Sequence, residues 1–323
     1  MSVQVGPEYA GGGAVNKLHK NCFVLSDYFI SRFSRIYTVL VPALLLGGVL
    51  DFVGIMFFNG SEIYTNADKY DIGTRFESNL NWTTFIGNIM NMQGILVYRF
   101  GSNLPLWSLA NEWWYYIMFG LLVEAYKSRY TVWRSAGVYI FVIFCLWGFP
   151  LKITLWFSIW LIGALTAVID FKNIKIPAWG AFIFLIAGLV ISKLCQKNID
   201  SSNIYVELLR DLFLAGVFCV SLLCLKTSNF TLAWKSTHNW LADFSFSLYV
   251  IHFPLMVFLV AILHDVHGVI FYVEPNAWSF VEMLFLVVMV YMVAWGFAKA
   301  TESHYHSAGN IMREILMRYK RVK

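Results

Sequence analysis

A single carboxylate stands in the apolar run PLWSLANEWWYYIMFG, residues 105–120, and after this Glu112 no positive charge follows until Lys127. An ionisable group inside an apolar helix is either protonated or paired, and it normally faces a cavity or a partner rather than lipid. At helical spacing Ser108, Glu112, Tyr115, Tyr116 and Phe119 share one face. Trp107, Trp113 and Trp114 crowd the same stretch. Two roles stay open for the acid: a cavity-facing group that handles protons or grips a sugar hydroxyl, and a polar contact that glues two helices together.

A second constellation lies in WLADFSFSLYVIHFPLMVF, residues 240–258. Ser245, Tyr249 and His252 fall on one helical face, and Asp243 sits one turn before Ser247. Pro254 follows the histidine by two positions, so it should weaken the helix and free a carbonyl for another partner. A third feature is SRFSRIY, where Arg32 and Arg35 share a face just before an apolar run. Paired guanidiniums suit a phosphate-bearing ligand, although basic residues also flank cytoplasmic span ends in general. The pairs His264/His267 and His304/His306 lack a metal-ligand spacing pattern, so no metal is expected. The sequence holds no GxGxxG, Walker loop or HExxH.

The elements that must position these groups are membrane helices. The 323-residue chain is 59% hydrophobic and only 13% charged, where soluble domains average about 25% charged. The expected fold is all-α, a polytopic transmembrane helical bundle. Apolar periodicity predicts segments over 36–58, 82–98, 105–125, 135–150, 154–170, 177–194, 205–225, 240–263 and 278–299. Lys and Arg place residues 1–35 and the basic tail 301–323 inside, which demands an even number of crossings. The segment 82–98 carries Asn88, Asn91 and Gln93, so it is expected to be re-entrant or interfacial, leaving about eight spans. The short pair 135–150 and 154–170 is the alternative exception. No repeat or low-complexity linker divides the chain, so residues 1–323 are expected to form one membrane-embedded domain with a polar N-terminal segment and a cytoplasmic tail. The five cysteines are scattered and show no CxxC, and the N-terminus lacks the pattern of a signal peptide. The net charge of +5 fits basic cytoplasmic loops and does not call for nucleic acid.

Several of these stretches resemble signatures of the membrane acyltransferase 3 family. LWSLANEWWYYIMFG is similar to its WSL-x-x-E-x-x-F/Y-Y motif, and LADFSFSLYVIHFPLM to its late S-Y-S-I/L-Y-L-I/V-H-x-P-L motif. DYFISRFSRIYTVLVPALL resembles the Y-x-x-R-x-x-R-I-Y-P boundary, and ATES near residue 300 lies where the family often has a Glu. The resemblance implies transfer of an acyl group, most often acetyl, from cytosolic acyl-CoA to a hydroxyl of an envelope glycan or a lipid-linked sugar precursor. It implies a multi-pass protein of a bacterial-type plasma (inner) membrane with both ends cytoplasmic and no tightly bound cofactor. It assigns Glu112 and His252 to the catalytic set, with His252 in a structural or acceptor-positioning role. Arg32 and Arg35 would hold the CoA phosphates, and Trp107, Ser108 and Tyr249 would contact thioester or sugar. Family members usually carry ten spans, and their first helix bears a basic residue and a His. This chain opens near the end of the family's second helix, so it resembles a member lacking its N-terminal two helices, and catalysis is in question on that count. The rival classes are a secondary transporter or flippase using Glu112 and His252 for proton coupling, and a non-catalytic remnant.

Overall fold

The computed structural model describes residues 23–322, apart from 59, 61, 67–75, 128–131, 167–176, 199–202, 228–234 and 269–275. Eleven α-helices follow in chain order among the described residues. They are α1 (Leu25–Phe57), α2 (Trp82–Ile89), α3 (Leu106–Lys127), α4 (Val132–Gly148), α5 (Leu151–Thr166), α6 (Ala178–Asn198), α7 (Ile204–Thr227), α8 (Lys235–Ala242), α9 (Ser245–His267), α10 (Ala277–Ala300) and α11 (Tyr305–Val322). Short 3₁₀ turns at Glu77–Asn79 and Glu302–His304 complete the described elements, and the only β pairing among them is an isolated bridge between Gln93 and Val97. The chain is an all-α integral membrane protein. Among the described residues five stretches are long and apolar enough to cross a bilayer: α1, α6, α7, α9 and the run containing α10.

The remaining predicted spans differ in instructive ways. Helix α3 has the length of a crossing, 22 residues, but carries Glu112 and Glu124. Helices α4 and α5 have 17 and 16 residues, about 25 Å each at 1.5 Å per residue, just short of the ~30 Å hydrocarbon thickness. Helix α1 begins well before the predicted start at 36 and runs for 33 residues, about 50 Å. Arg32 and Arg35 therefore lie inside a long helix and not in a polar lead-in. The cause is visible in the sequence: Tyr28, Ile36, Val39 and Leu40 are buried along one side, while Asp27 occupies the first turn. The tail is likewise helical. In α11, Tyr305, Ala308, Met312 and Leu316 recur at helical spacing on the half-buried face, opposite the exposed Asn310, Glu314 and Arg318, which makes an amphipathic helix. Gly309 sits against Ser34 of α1, where an added Cβ would lie 3.1 Å from the Ser34 oxygen.

Packing divides the chain into two compact units: Met1–Tyr28 with Tyr115–Ala233, and Phe29–Trp114 with Trp234–Lys323. In the first, the Tyr115 hydroxyl donates to the Ile153 carbonyl at 2.6 Å. Its ring joins Phe157 and Trp160 in an aromatic cluster that also takes in Tyr116 and Phe119. Gly188 of α6 lets α7 approach, since a Cβ there would meet Val217 at 2.5 Å. Lys152 at the start of α5 pairs with Glu207 at the start of α7 at 2.7 Å. These two helices therefore start at the same end of the unit, as a topology with α6 returning between them requires.

In the second unit, α2 explains the polar segment 82–98. Asn81 caps this eight-residue helix by accepting from the Thr84 amide at 3.0 Å. The chain then turns through irregular backbone whose amide side chains are buried. Asn88 donates to the Thr84 and Tyr98 carbonyls and accepts from the Phe100 amide. Asn91 donates to the Tyr37 hydroxyl at 3.1 Å, and Gln93 to the Leu106 carbonyl at 2.9 Å. Non-helical backbone is tolerated in a membrane protein where protein groups satisfy it, which is what these amides do. The loop after α1 is held by an apolar cluster of Ile63, Tyr64, Phe76, Val257 and Ala261. Tyr64 lies flat against Gly54 of α1, where a Cβ would fall 2.4 Å from two ring carbons. Gly54→Ala should therefore lower stability by about 1–3 kcal/mol, as overpacking of a fixed ring does, read as a lower melting temperature in detergent.

Candidate active site

The late motif and the mid-chain motif meet in the second unit. Pro254 cannot donate to the carbonyl four residues earlier, and that carbonyl, Val250, accepts from the Asn103 side chain at 2.8 Å. One residue back along α9, the Tyr249 hydroxyl donates to the Pro105 carbonyl, immediately before α3. With its proton committed there, the Tyr249 oxygen accepts from Ser108. Asn103, Pro105 and Ser108 thus bind two adjacent residues of α9, Val250 and Tyr249, and fix the start of α3 against it. Glu112 follows Ser108 by one helical turn, is half-buried, and lies close enough to Tyr249 for its charge to act on that hydroxyl.

His252 lies three residues beyond Tyr249. Its Nδ1 faces two backbone carbonyls, Leu248 at 3.1 Å and Tyr249 at 2.8 Å. Carbonyls only accept, so Nδ1 carries the proton in the neutral ring and Nε2 is left with its lone pair. His252, Tyr249 and Ser245 line a groove of 440 Å³ between α9 and α10, whose far part is apolar with Met256, Val260 and Met283. Polar groups at one end of an apolar groove are the usual build of a small-molecule site.

The other expected residues lie elsewhere in the same unit. Arg32 is buried and Arg35 half-buried on α1. Arg35 acts electrostatically on Glu302. That carboxylate accepts from the Ser247 amide at 3.0 Å and its hydroxyl at 2.7 Å. Glu302 thereby satisfies the open first turn of α9, where an acid also complements the helix dipole. Trp107 turns away from the histidine groove and is 52% exposed. It lines a different concavity, with Arg99. Trp113 packs edge-on against Phe33 and Tyr37, and the Trp114 indole donates to the Asn91 carbonyl at 3.0 Å. The tryptophans expected around Glu112 thus serve three different contacts.

Sequence reasoning from the residues alone passed over Asp51, Ser102, Asn103 and Arg99. Asp51, only 1% exposed, accepts from the Ser102 amide at 2.7 Å and its hydroxyl at 2.6 Å. The one available signal was Pro254, which announces a free carbonyl without naming its partner. Among the described residues no group of three His, Cys, Asp or Glu gathers, and the side chain of His267 lies outside the described residues. His304 bonds Ser303 and His306 packs on Tyr305.

In space the motifs pair off. Ser108 of the mid-chain motif holds Tyr249 of the late one, while Glu302 of ATES receives Ser247 and feels Arg35. A family model described as an acyltransferase domain matches residues 14–299, which takes in the arginine, mid-chain and late motifs and ends just before ATES. The chain belongs to the acyltransferase 3 family. No curated protein and no solved structure matches it. In this acyltransferase, the matched residues therefore include the polar cluster open to a groove, while the Glu302 cap on the first turn of α9 lies just beyond the match.

Proposed function

We propose that the protein transfers an acyl group, most simply acetyl, from acyl-CoA to a hydroxyl of a cell-envelope sugar or a lipid-linked precursor. It would act in a bacterial-type plasma membrane with both chain ends in the cytosol. The observation that carries this is the cluster at Tyr249, where Ser108 bonds its hydroxyl, Glu112 acts on it, and His252 lines the same open groove with Nδ1 held by backbone carbonyls. In the reaction the sugar oxygen attacks the thioester carbon, the new C–O bond forms, and the C–S bond breaks. The hydroxyl proton passes to His252 Nε2 and from there to the departing sulfur, leaving the CoA thiol. Glu112 steadies the protonated imidazole or a neighbouring sugar hydroxyl. Ser108 and Tyr249, whose protons are committed to Tyr249 and Pro105, offer their remaining lone pairs to a sugar hydroxyl.

Arg32 and Arg35 are the proposed contacts for the CoA phosphates. Arg32→Ala with Arg35→Ala should raise the acyl-CoA KM about tenfold or more, the loss of one or two charge-assisted hydrogen bonds. Glu302→Gln is the control, because Arg35 also faces Glu302: a change shared by both variants would reduce the arginines to structural groups. The direct test uses membranes carrying the full chain and acetyl-CoA labelled in the acetyl group. Label should appear in envelope saccharide as an alkali-labile ester. Saccharide labelled no more than in membranes without the chain would overturn the proposal.

A further inference from the structure

The concavity beside Trp107 holds a cation that nothing in the mechanism uses. It measures 470 Å³ and is formed by the loop Gly94–Arg99 together with Trp107. Among the described residues Arg99 makes no hydrogen bond or ion pair, and it is half-buried. Partial burial lowers its pKa through lost hydration, yet a guanidinium stays charged at any ordinary pH. A half-desolvated cation without a protein partner is costly, and an incoming anion would offset that cost.

The loop around it is built to hold one shape. Asn88 grips the backbone on both sides of Arg99, through the Tyr98 carbonyl at 2.9 Å and the Phe100 amide at 3.1 Å. Gln93 grips the Leu106 carbonyl, one residue before Trp107, at 2.9 Å. Both amides are fully buried. Gly94, at φ +78°, makes the turn, and its amide bonds the Val97 carbonyl at 2.9 Å. Arg99 and Trp107 are therefore set in place by the same buried amides that satisfy the backbone of this loop. Tyr98 is 65% exposed and Trp107 52%, so two aromatic faces stand open next to the charge. A planar guanidinium forks onto phosphate or carboxylate oxygens, and an indole face packs on the apolar face of a sugar ring.

We infer that Arg99 and Trp107 form a binding site for an anionic saccharide, a sugar bearing a phosphate or carboxylate group. The inference rests on the proposed acyl transfer only in taking the ligand to be a saccharide, which would make the acceptor an acidic one. A phospholipid headgroup offers the same anionic oxygens, so the test must separate the two sources.

The full chain is placed in phosphatidylcholine nanodiscs without acyl-CoA, and binding of labelled hexose 1-phosphate, hexuronic acid and neutral hexose is measured. The charged sugars should bind at least about tenfold more tightly than the neutral one, the worth of one charge-assisted bond. Arg99→Gln should erase that preference, Arg99→Lys should restore part of it, and Trp107→Ala should weaken all three sugars together. Equal binding of charged and neutral sugars, or a preference that survives Arg99→Gln, would overturn the inference. In phosphatidylglycerol nanodiscs, hexose 1-phosphate should still bind; complete exclusion by that lipid, in wild type but not in Arg99→Gln, would assign the site to headgroups and also overturn it. No acyl donor is present, so a failure here leaves the acetyl-transfer result untouched, and a failure of transfer leaves this binding result standing.

Discussion

His252→Gln should slow acyl transfer about 10²- to 10⁴-fold, the usual worth of a positioned general base. Its melting temperature should stay within about 4 °C of the parent. The separation follows from where the ring is tied. Nδ1 bonds only carbonyls of its own helix, Leu248 and Tyr249, so losing the ring removes no tie to another helix. Glutamine can still donate to those carbonyls but cannot take a proton in place of Nε2. A variant that melts much earlier with transfer per folded molecule unchanged would make His252 a packing residue. Steady-state transfer and a melting curve on the same preparation decide it.

Gly101→Ala should cost about 2–6 kcal/mol, the sum of a left-handed backbone on a side-chain-bearing residue and an overpacked core contact. Gly101 has φ +55°, and an added Cβ would stand 2.0 Å from an Asp51 oxygen. That oxygen cannot swing aside, because Asp51 is buried and gripped by the Ser102 amide and hydroxyl. The clash and the backbone strain can be told apart. In an Asp51→Ala background the Gly101→Ala cost should shrink by about 1–3 kcal/mol, since neighbours that clash are not additive. An equal cost in both backgrounds would leave only the backbone term, and no cost at all would mean that the loop rearranges freely.

Local pattern carried much of this fold. The amides of 82–98 marked a segment that does not cross, because amide groups at membrane depth need protein partners. The structure shows a helix of only eight residues followed by side-chain-bonded turns. Pro254 marked a free carbonyl for a chemical reason, the missing N–H. What could not be read was which distant group answers it. Asn103 lies 147 residues away in sequence, and no periodicity links them. The site was half legible in the same sense. Spacing put Ser108 near Glu112 and Tyr249 near His252, since each pair shares a helix. That Ser108 and Tyr249 touch is a tertiary fact. Trp107 misled because a helical face says which residues are neighbours but not which partner each neighbour turns to. It stands with Arg99, a residue that looks like any loop cation until the backbone on either side of it is seen to be held by Asn88.

The account stands or falls on Glu112, whose half-buried carboxylate sits beside Ser108 and Tyr249. The decisive measurement is a single turnover by the Glu112→Gln chain, preloaded with labelled acetyl-CoA and then given acceptor. Transfer should fall by about a hundredfold or more, as removal of one charged group at a reacting centre does, with acetyl-CoA affinity within twofold of the parent. Transfer at the parental rate from a chain that binds donor normally would contradict it and leave Glu112 a helix-packing residue.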